Sequence, residues 1–167
     1  MYSLAQLKRG LASPNLVLRE LNRLYHTRLD TQDYNVDGCD VMAEDWDNLL
    51  LLDACRYDLF ADKAVDRLPG RLERRTSRGS GTVEFLRGTV AGRDLTDTVY
   101  VTANPQYRRH NDELAAQFHD VNDVWRTNGW DETYNTVLPE TVASAARAAA
   151  DRYPNKRLLV HFIQPHY

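Results

Sequence analysis

Residues 47–58 read D-N-L-L-L-L-D-A-C-R-Y-D, so that four consecutive leucines, Leu49 to Leu52, run straight into Asp53. An apolar run of this length, with no polar residue to give it a solvent face, suits a central strand of a parallel sheet, buried on both sides. Open α/β sheets bind ligands beyond the carboxyl ends of such strands, and Asp53 stands at that end. A carboxylate so placed has to be paired, hydrogen-bonded or bound to a metal, because an isolated buried charge is very costly.

Further segments fit the same architecture. Arg157 to Ile163 (R-L-L-V-H-F-I) reads as another buried strand, Thr98 to Thr102 (T-V-Y-V-T) as a β-branched and aromatic one, and Arg71 to Ser77 as a third. Helices are expected at Tyr57–Val65, at Val83–Val90, over residues 111–119 and at Pro139–Tyr153, the last opened by a proline. Gly79-Ser80-Gly81-Thr82 reads as a flexible loop opening the second of these, while Val121–Asp131, with Trp125 and Trp130, matches no element. Strands alternating with helices make the fold class α/β, a mostly parallel sheet flanked by helices.

Ser3 to His26 carries leucines at helical spacing, divided at Pro14, and Thr27 to Asp45 is polar. The expected organisation is an N-terminal helical segment and polar linker over residues 1–45 and an α/β domain over 46–167. The basic amphipathic segment is expected to pack on the domain instead of lying on a membrane surface.

Composition bounds the class. A content of 43% hydrophobic and 27% charged residues is that of a globular protein, and no run approaches the roughly 20 apolar residues of a membrane helix. No uninterrupted apolar region follows Lys8 and Arg9, so no secretory signal is read. A cytoplasmic location, no transmembrane segment and no nucleic-acid partner are expected. Cys39 and Cys55 neither demand a disulfide nor form a CxxC pair. The net charge of -3 hides a sharp division: eleven acidic residues lie between Asp30 and Arg67, whereas six arginines and two glutamates lie between Arg71 and Arg93. That division suits either a cation site beside an anion site or two solvated faces.

Strand ends at Asp53, Asn104 and the Gln164–His166 loop converge in such a sheet. With the Gly79–Thr82 loop they supply a carboxylate, an amide, an imidazole and a hydroxyl at a helix N-terminus, where the backbone N–H groups favour a bound oxyanion. A metal on Asp53 would lower the hydroxyl pKa and neutralise an anionic ester. On spacing alone Thr82 is equally an ordinary helix cap and Ser80 a loop hydroxyl. Arg56 is placed to pair with Asp58 or to bind an ester oxyanion, and His161 reads as a core histidine. The glycines form neither GxGxxG nor a Walker loop.

L-L-D-A-C-R-Y-D, G-S-G-T-V-E-F-L, V-Y-V-T-A-N-P and H-F-I-Q-P-H-Y occur in that order between Trp46 and Tyr167. Together they resemble the sulfatase-like proteins of haloarchaea, within the alkaline phosphatase and sulfatase superfamily. The resemblance implies an alkaline-phosphatase-like fold and metal-dependent hydrolysis of sulfate or phosphate esters. It implies a divalent metal on Asp53 and His166, Thr82 as nucleophile with Ser80 in reserve, and Arg56, Arg78 and Asn104 against the anionic substrate. The C-x-P-x-R motif of true sulfatases is missing, since Cys55-Arg56-Tyr57 lacks the proline, and Cys55 reads as a packing residue. The D-x-D of haloacid dehalogenases is missing too. The superfamily's later Asp-His ligand motifs have no counterpart before Tyr167. The expectation is therefore the front part of a longer domain, with little activity alone. The alternative is a non-catalytic protein that associates through a sheet edge left open after residues 157–163.

Overall fold

A computed structural model describes residues 33–127 and 129–164, so the helical reading of Ser3–His26 and the assignment of His166 lie outside the described residues. Strand β1 (Asn48–Leu52) is followed by the short helix α1 (Tyr57–Lys63), a 3-10 turn at Val65–Arg67 and helix α2 (Thr82–Val90). Strand β2 (Asp94–Thr102), two single-turn helices, α3 (Gln106–Arg109) and α4 (Asn111–Leu114), and strand β3 (Gln117–Asp123) come next. The hairpin of β4 (Trp130–Asp131) and β5 (Thr136–Val137) then leads into helix α5 (Pro139–Arg152) and strand β6 (Arg157–Phe162). The main sheet has the order β1-β6-β2-β3 with every pair parallel, so the chain is α/β with a mostly parallel sheet and flanking helices.

Burial on both faces belongs to β2 and β6. Val99, Val101, Leu158 and Val160 pack on the α5 side with Val137, Val142 and Ala149. The alternate residues Tyr100 and Leu159 pack on the other side with Leu86, Val90, Tyr107 and Leu114. Strand β1, expected at the centre, is an edge strand instead. Its Leu49 and Leu51 join the α2-side core, while Leu50 and Leu52 are 58% and 39% exposed, because α5 lies over β2 and β6. The edge expected after residues 157–163 is likewise displaced: β6 is flanked by β1 and β2. Among the described strands the edges are β1 and β3, and on β3 the Val121 N–H already donates to Asp120 Oδ1 at 2.9 Å.

Two expected elements differ. Arg71–Ser77 is not a strand; its single apolar residue, Leu72, gives it no face to bury. It lies beside residues 35–39 through Asn35 N–H to Arg78 O and Cys39 N–H to Thr76 O, both 2.8 Å. Residues 111–119 do not form one helix. Ala115, left-handed at φ 47°, ends α4, and β3 begins at Gln117 so that Phe118 can pack on Tyr100 at 5.0 Å between centroids. The segment that matched no element supplies the end of β3, the buried Val124 and a turn.

The compact unit containing the sheet starts at Tyr34, so residues 34–45 belong with it and not with the N-terminal segment. Met42 is core. The Trp46 indole donates to Val41 O at 2.8 Å, and the Arg157 guanidinium lies 3.7 Å from the Trp46 ring centroid, a cation–π contact. Asp40 receives Arg93 and Arg78, the latter at 3.2 Å. Burial raises the Asp40 pKa, but the Arg93 hydrogen bond and the charges of Arg93 and Arg78 together outweigh it and hold the carboxyl below its ordinary value of 3.8.

The unfolded chain therefore takes up this proton at higher pH than the folded one, so the stabilisation is complete above about pH 4 and is lost as the pH falls below it. Asp40→Asn is expected to lower the melting temperature at pH 7 and to flatten its fall between about pH 4 and 2. Thermal melts across that range check this, and a variant curve parallel to wild type throughout refutes it.

Candidate functional site

Asp53 follows the last residue of β1 and is held there by its own backbone, its N–H donating to Phe162 O of β6 at 3.2 Å. Ala54 then adopts a left-handed φ of 58°, a conformation that costs an L-residue about 1–2 kcal/mol and turns the chain away from the sheet. The Asp53 side chain, 17% exposed, is left at the carboxyl end of the strand.

Helix α2 brings the hydroxyl. Its N-cap is Gly81, with extended backbone and no side-chain cap, so Thr82 is not the capping residue. The Thr82 hydroxyl donates instead to Asp53 Oδ2 at 2.8 Å. Asn104, just beyond β2 and buried, donates Nδ2 to the same oxygen at 2.7 Å. Its orientation follows from its other end, where Oδ1 accepts Gln106 N–H at 3.0 Å; a carbonyl oxygen there leaves the amide nitrogen toward the carboxylate. Asp53, Thr82 and Asn104, singled out in the sequence, are thus one hydrogen-bonded cluster.

The remaining candidates fall elsewhere. Ser80 gives both its N–H and its hydroxyl to Glu84 Oε2, at 2.9 and 2.7 Å, which ties the residue before the N-cap to the first turn of α2. Arg56 lines the cleft in front of Asp53, but its guanidinium, 79% exposed, is bidentate on Asp58 at 3.0 and 2.8 Å. Arg78 is engaged elsewhere. Only 15% exposed, it donates to Gly88 O at 2.6 Å and Gly38 O at 3.3 Å, fastening residues 34–40 to α2. Among the described residues Cys55 Sγ reaches the Arg56 carbonyl alone, at 3.9 Å.

His161 is the neighbour that the sequence reading set aside as core. It is buried, and its ring faces the site: Nε2 lies 3.8 Å from Asp53 Oδ2 and Nδ1 is 2.8 Å from the Tyr100 hydroxyl. Burial pushes the imidazole down to about 4, the Asp53 charge opposing, so the ring is neutral at pH 7. The usable signal was alternation. Leu159 and His161 are two residues apart on β6, so they share a face, and that face meets α2.

Asp53, Thr82 and His161 border a cleft of about 480 Å3, lined also by Leu51, Cys55, Arg56 and Ser80. Among the described residues no three His, Cys, Asp or Glu side chains converge on a metal-sized point. Asp53 with a neutral, already bonded His161 is too small a donor set to hold a divalent ion, so the described residues do not by themselves fit the metal that the resemblance implies. Comparisons with protein-family models, curated proteins and solved structures find no match to this chain. No helix among the described residues is long and apolar enough to cross a membrane.

The Gly79–Thr82 loop, read from sequence as flexible, is closely packed at one glycine. A Cβ on Gly79 would lie 2.2 Å from the backbone nitrogen of Phe85, whereas one on Gly81 would meet nothing within 4 Å. Gly79→Ala is expected to cost about 2–3 kcal/mol and Gly81→Ala well under half of that, measured by urea unfolding. Equal losses in the two variants would show that the loop is not packed against α2.

Proposed function

We propose that this chain is a sulfatase-like hydrolase acting on anionic esters of sulfate or phosphate, with Thr82 as nucleophile and Asp53 as its base. The observation that carries the reading is the 2.8 Å hydrogen bond from the Thr82 hydroxyl to Asp53 Oδ2, between residues 29 apart in sequence, at the edge of an open cleft. A nucleophile donating to a carboxylate held by a third group is the arrangement that activates a hydroxyl. The resemblance of the L-L-D-A-C-R-Y-D and G-S-G-T-V-E-F-L segments to sulfatase-like proteins supports the same assignment.

In the attack, Thr82 Oγ1 forms a bond to the ester sulfur or phosphorus, its proton passes to Asp53 Oδ2, and the alkoxide or aryloxide leaves on the opposite side. Water then attacks the sulfur or phosphorus and its oxygen keeps one hydrogen. Asp53 Oδ2 returns its proton to the departing Thr82 oxygen, which restores the carboxylate, and the second water proton passes through solvent to the alkoxide or aryloxide released first. The first N–H groups of α2 and the positive end of its dipole favour the negative charge gathered at Thr82. Asn104 keeps Asp53 Oδ2 aimed at the hydroxyl throughout. The resemblance implies a divalent metal on Asp53 as well. The described residues contribute one carboxylate to it, and no step above passes through a metal.

With that donor set, slow turnover is expected. Incubation of the 167-residue chain with an aryl phosphate or aryl sulfate should leave a Thr82 peptide heavier by one phosphoryl or sulfuryl group. Thr82→Ala should lose about 1,000-fold or more of both labelling and hydrolysis, and Ser80→Ala should change little. Wild-type rates in Thr82→Ala would overturn the assignment.

A second, non-catalytic reading is partner binding at the β1 edge, favoured by the outward-facing Leu50 and Leu52. Sedimentation showing the wild-type chain and a Leu50→Lys variant to be the same monomer at every concentration would remove self-association from it.

A further inference from the structure

We propose that Tyr100 and His161 are a buried positioning pair, in which the phenol fixes His161 as the Nε2–H tautomer and that N–H turns Asp53 so that only Oδ1 faces the cleft. The inference rests on the reading of Asp53 as the base for Thr82, and it is carried by the surroundings of the two imidazole nitrogens.

Tyr100 is fully buried, and burial raises its pKa further above the ordinary 10.0, so the hydroxyl keeps its proton and must place it on an acceptor. The Thr102 hydroxyl is taken up by Asn104, donating to its backbone oxygen at 3.2 Å and accepting its N–H at 3.0 Å. The acceptor that remains is His161 Nδ1 at 2.8 Å. A neutral imidazole accepting at Nδ1 carries its proton on Nε2. At the other end of the ring a weaker contact leans toward the same tautomer. Nε2 looks at Asp53 Oδ2 from 3.8 Å, where a lone pair would meet negative charge and an N–H meets it favourably. Beyond hydrogen-bond length, the contact orients the carboxylate by charge alone.

The consequence falls on Asp53. Thr82 and Asn104 donate to Oδ2, and the His161 N–H is aimed at that same oxygen. Among the described residues no hydrogen bond reaches Oδ1, and it is not a buried atom left without a partner. Oδ2 takes two hydrogen bonds, from α2 and from the turn after β2, and faces His161 of β6, while the other oxygen is offered to whatever enters the cleft. His161, which also lines the cleft, thus acts on Thr82 through Asp53, as groups behind a reactive carboxylate commonly do.

Long-range proton–nitrogen correlation spectra of uniformly 15N-labelled chain at pH 7 test the tautomer directly. The wild type should show His161 as Nε2–H, and Tyr100→Phe, which removes the donor at Nδ1, should show a mixture. An Nδ1–H form or an imidazolium in the wild type, or an unchanged pure Nε2–H form in Tyr100→Phe, overturns the proposal. A second arm follows phosphoryl or sulfuryl labelling of Thr82 from the aryl ester. His161→Leu should slow it about tenfold, and His161→Gln, whose amide N–H reaches the Nε2 position, should recover most of the rate; equal rates in the two variants also overturn the proposal. A wild-type chain with no label on Thr82 defeats the hydrolase reading, while the spectra still decide the tautomer.

Discussion

The pairing of the first strand with the last is the constraint from which the rest of the structure follows. Strand β6 lies between β1 and β2, with Leu49 opposite Leu159 and Tyr100 opposite the same residue on the other side. Residues about a hundred positions apart must therefore meet before either face of the sheet can be covered, and long loop closures of this kind slow folding. The same pairing makes the site. The Asp53 N–H is held by Phe162 O, and the Ala103 N–H by His161 O, so β6 sets the heights at which the carboxyl ends of its two neighbours finish. Asp53 and Asn104 meet because both strands are registered against one middle strand.

The division of charge along the sequence admitted two uses, a cation site beside an anion site or separate solvated faces. The structure shows a third. Acidic residues of the first block and arginines of the second are partners: Asp40 with Arg78 and Arg93, and Glu44 with Arg75 at 3.7 Å. The contacts differ in weight. Glu44 and Arg75 are more than half exposed, and such a pair contributes little. Arg78 and Asp40 are largely covered, and there the arginine also meets two carbonyl groups. A buried ion earns its place only when its remaining donors are satisfied. Arg78 holds residues 34–40 against α2.

How much could be read beforehand depended on whether a feature was local. Asp53 after four leucines and Thr82 at the start of a helix are local patterns, and both are where the patterns put them. What was not legible came from the order of strands. Four leucines look the same in a central strand and in an edge strand with one bare face. That Leu50 and Leu52 stay exposed is decided by where α5 crosses, which no window around them contains. Arg71–Ser77 was misread for the opposite reason: an extended backbone was inferred without a hydrophobic face to hold it in a sheet. His161 was correctly taken as buried, yet its use was hidden. Its neighbours, Tyr100 and Asp53, lie 61 and 108 residues before it, and only parallel pairing through β6 brings all three together.

The site is also held rigidly, and the means are visible in the backbone. Ala54 sits in a left-handed conformation that a side chain disfavours, a strain of the sort that survives only where the surroundings over-determine it. Here the surroundings are the bond of Asp53 N–H to β6 before it and that of Cys55 N–H to Leu52 O at 3.1 Å after it. Facing them, Gly79 is pressed onto the backbone of Phe85 and Ser80 is tied to Glu84, so the hydroxyl of Thr82 arrives from a loop with little freedom. A donor and an acceptor placed in advance, each by a segment that cannot easily move, need no further ordering when a ligand enters, and reactions between groups so held are favoured chiefly by that saved entropy. The cleft is open and its lining is mixed, but the pair at its edge is fixed from both sides by packed backbone.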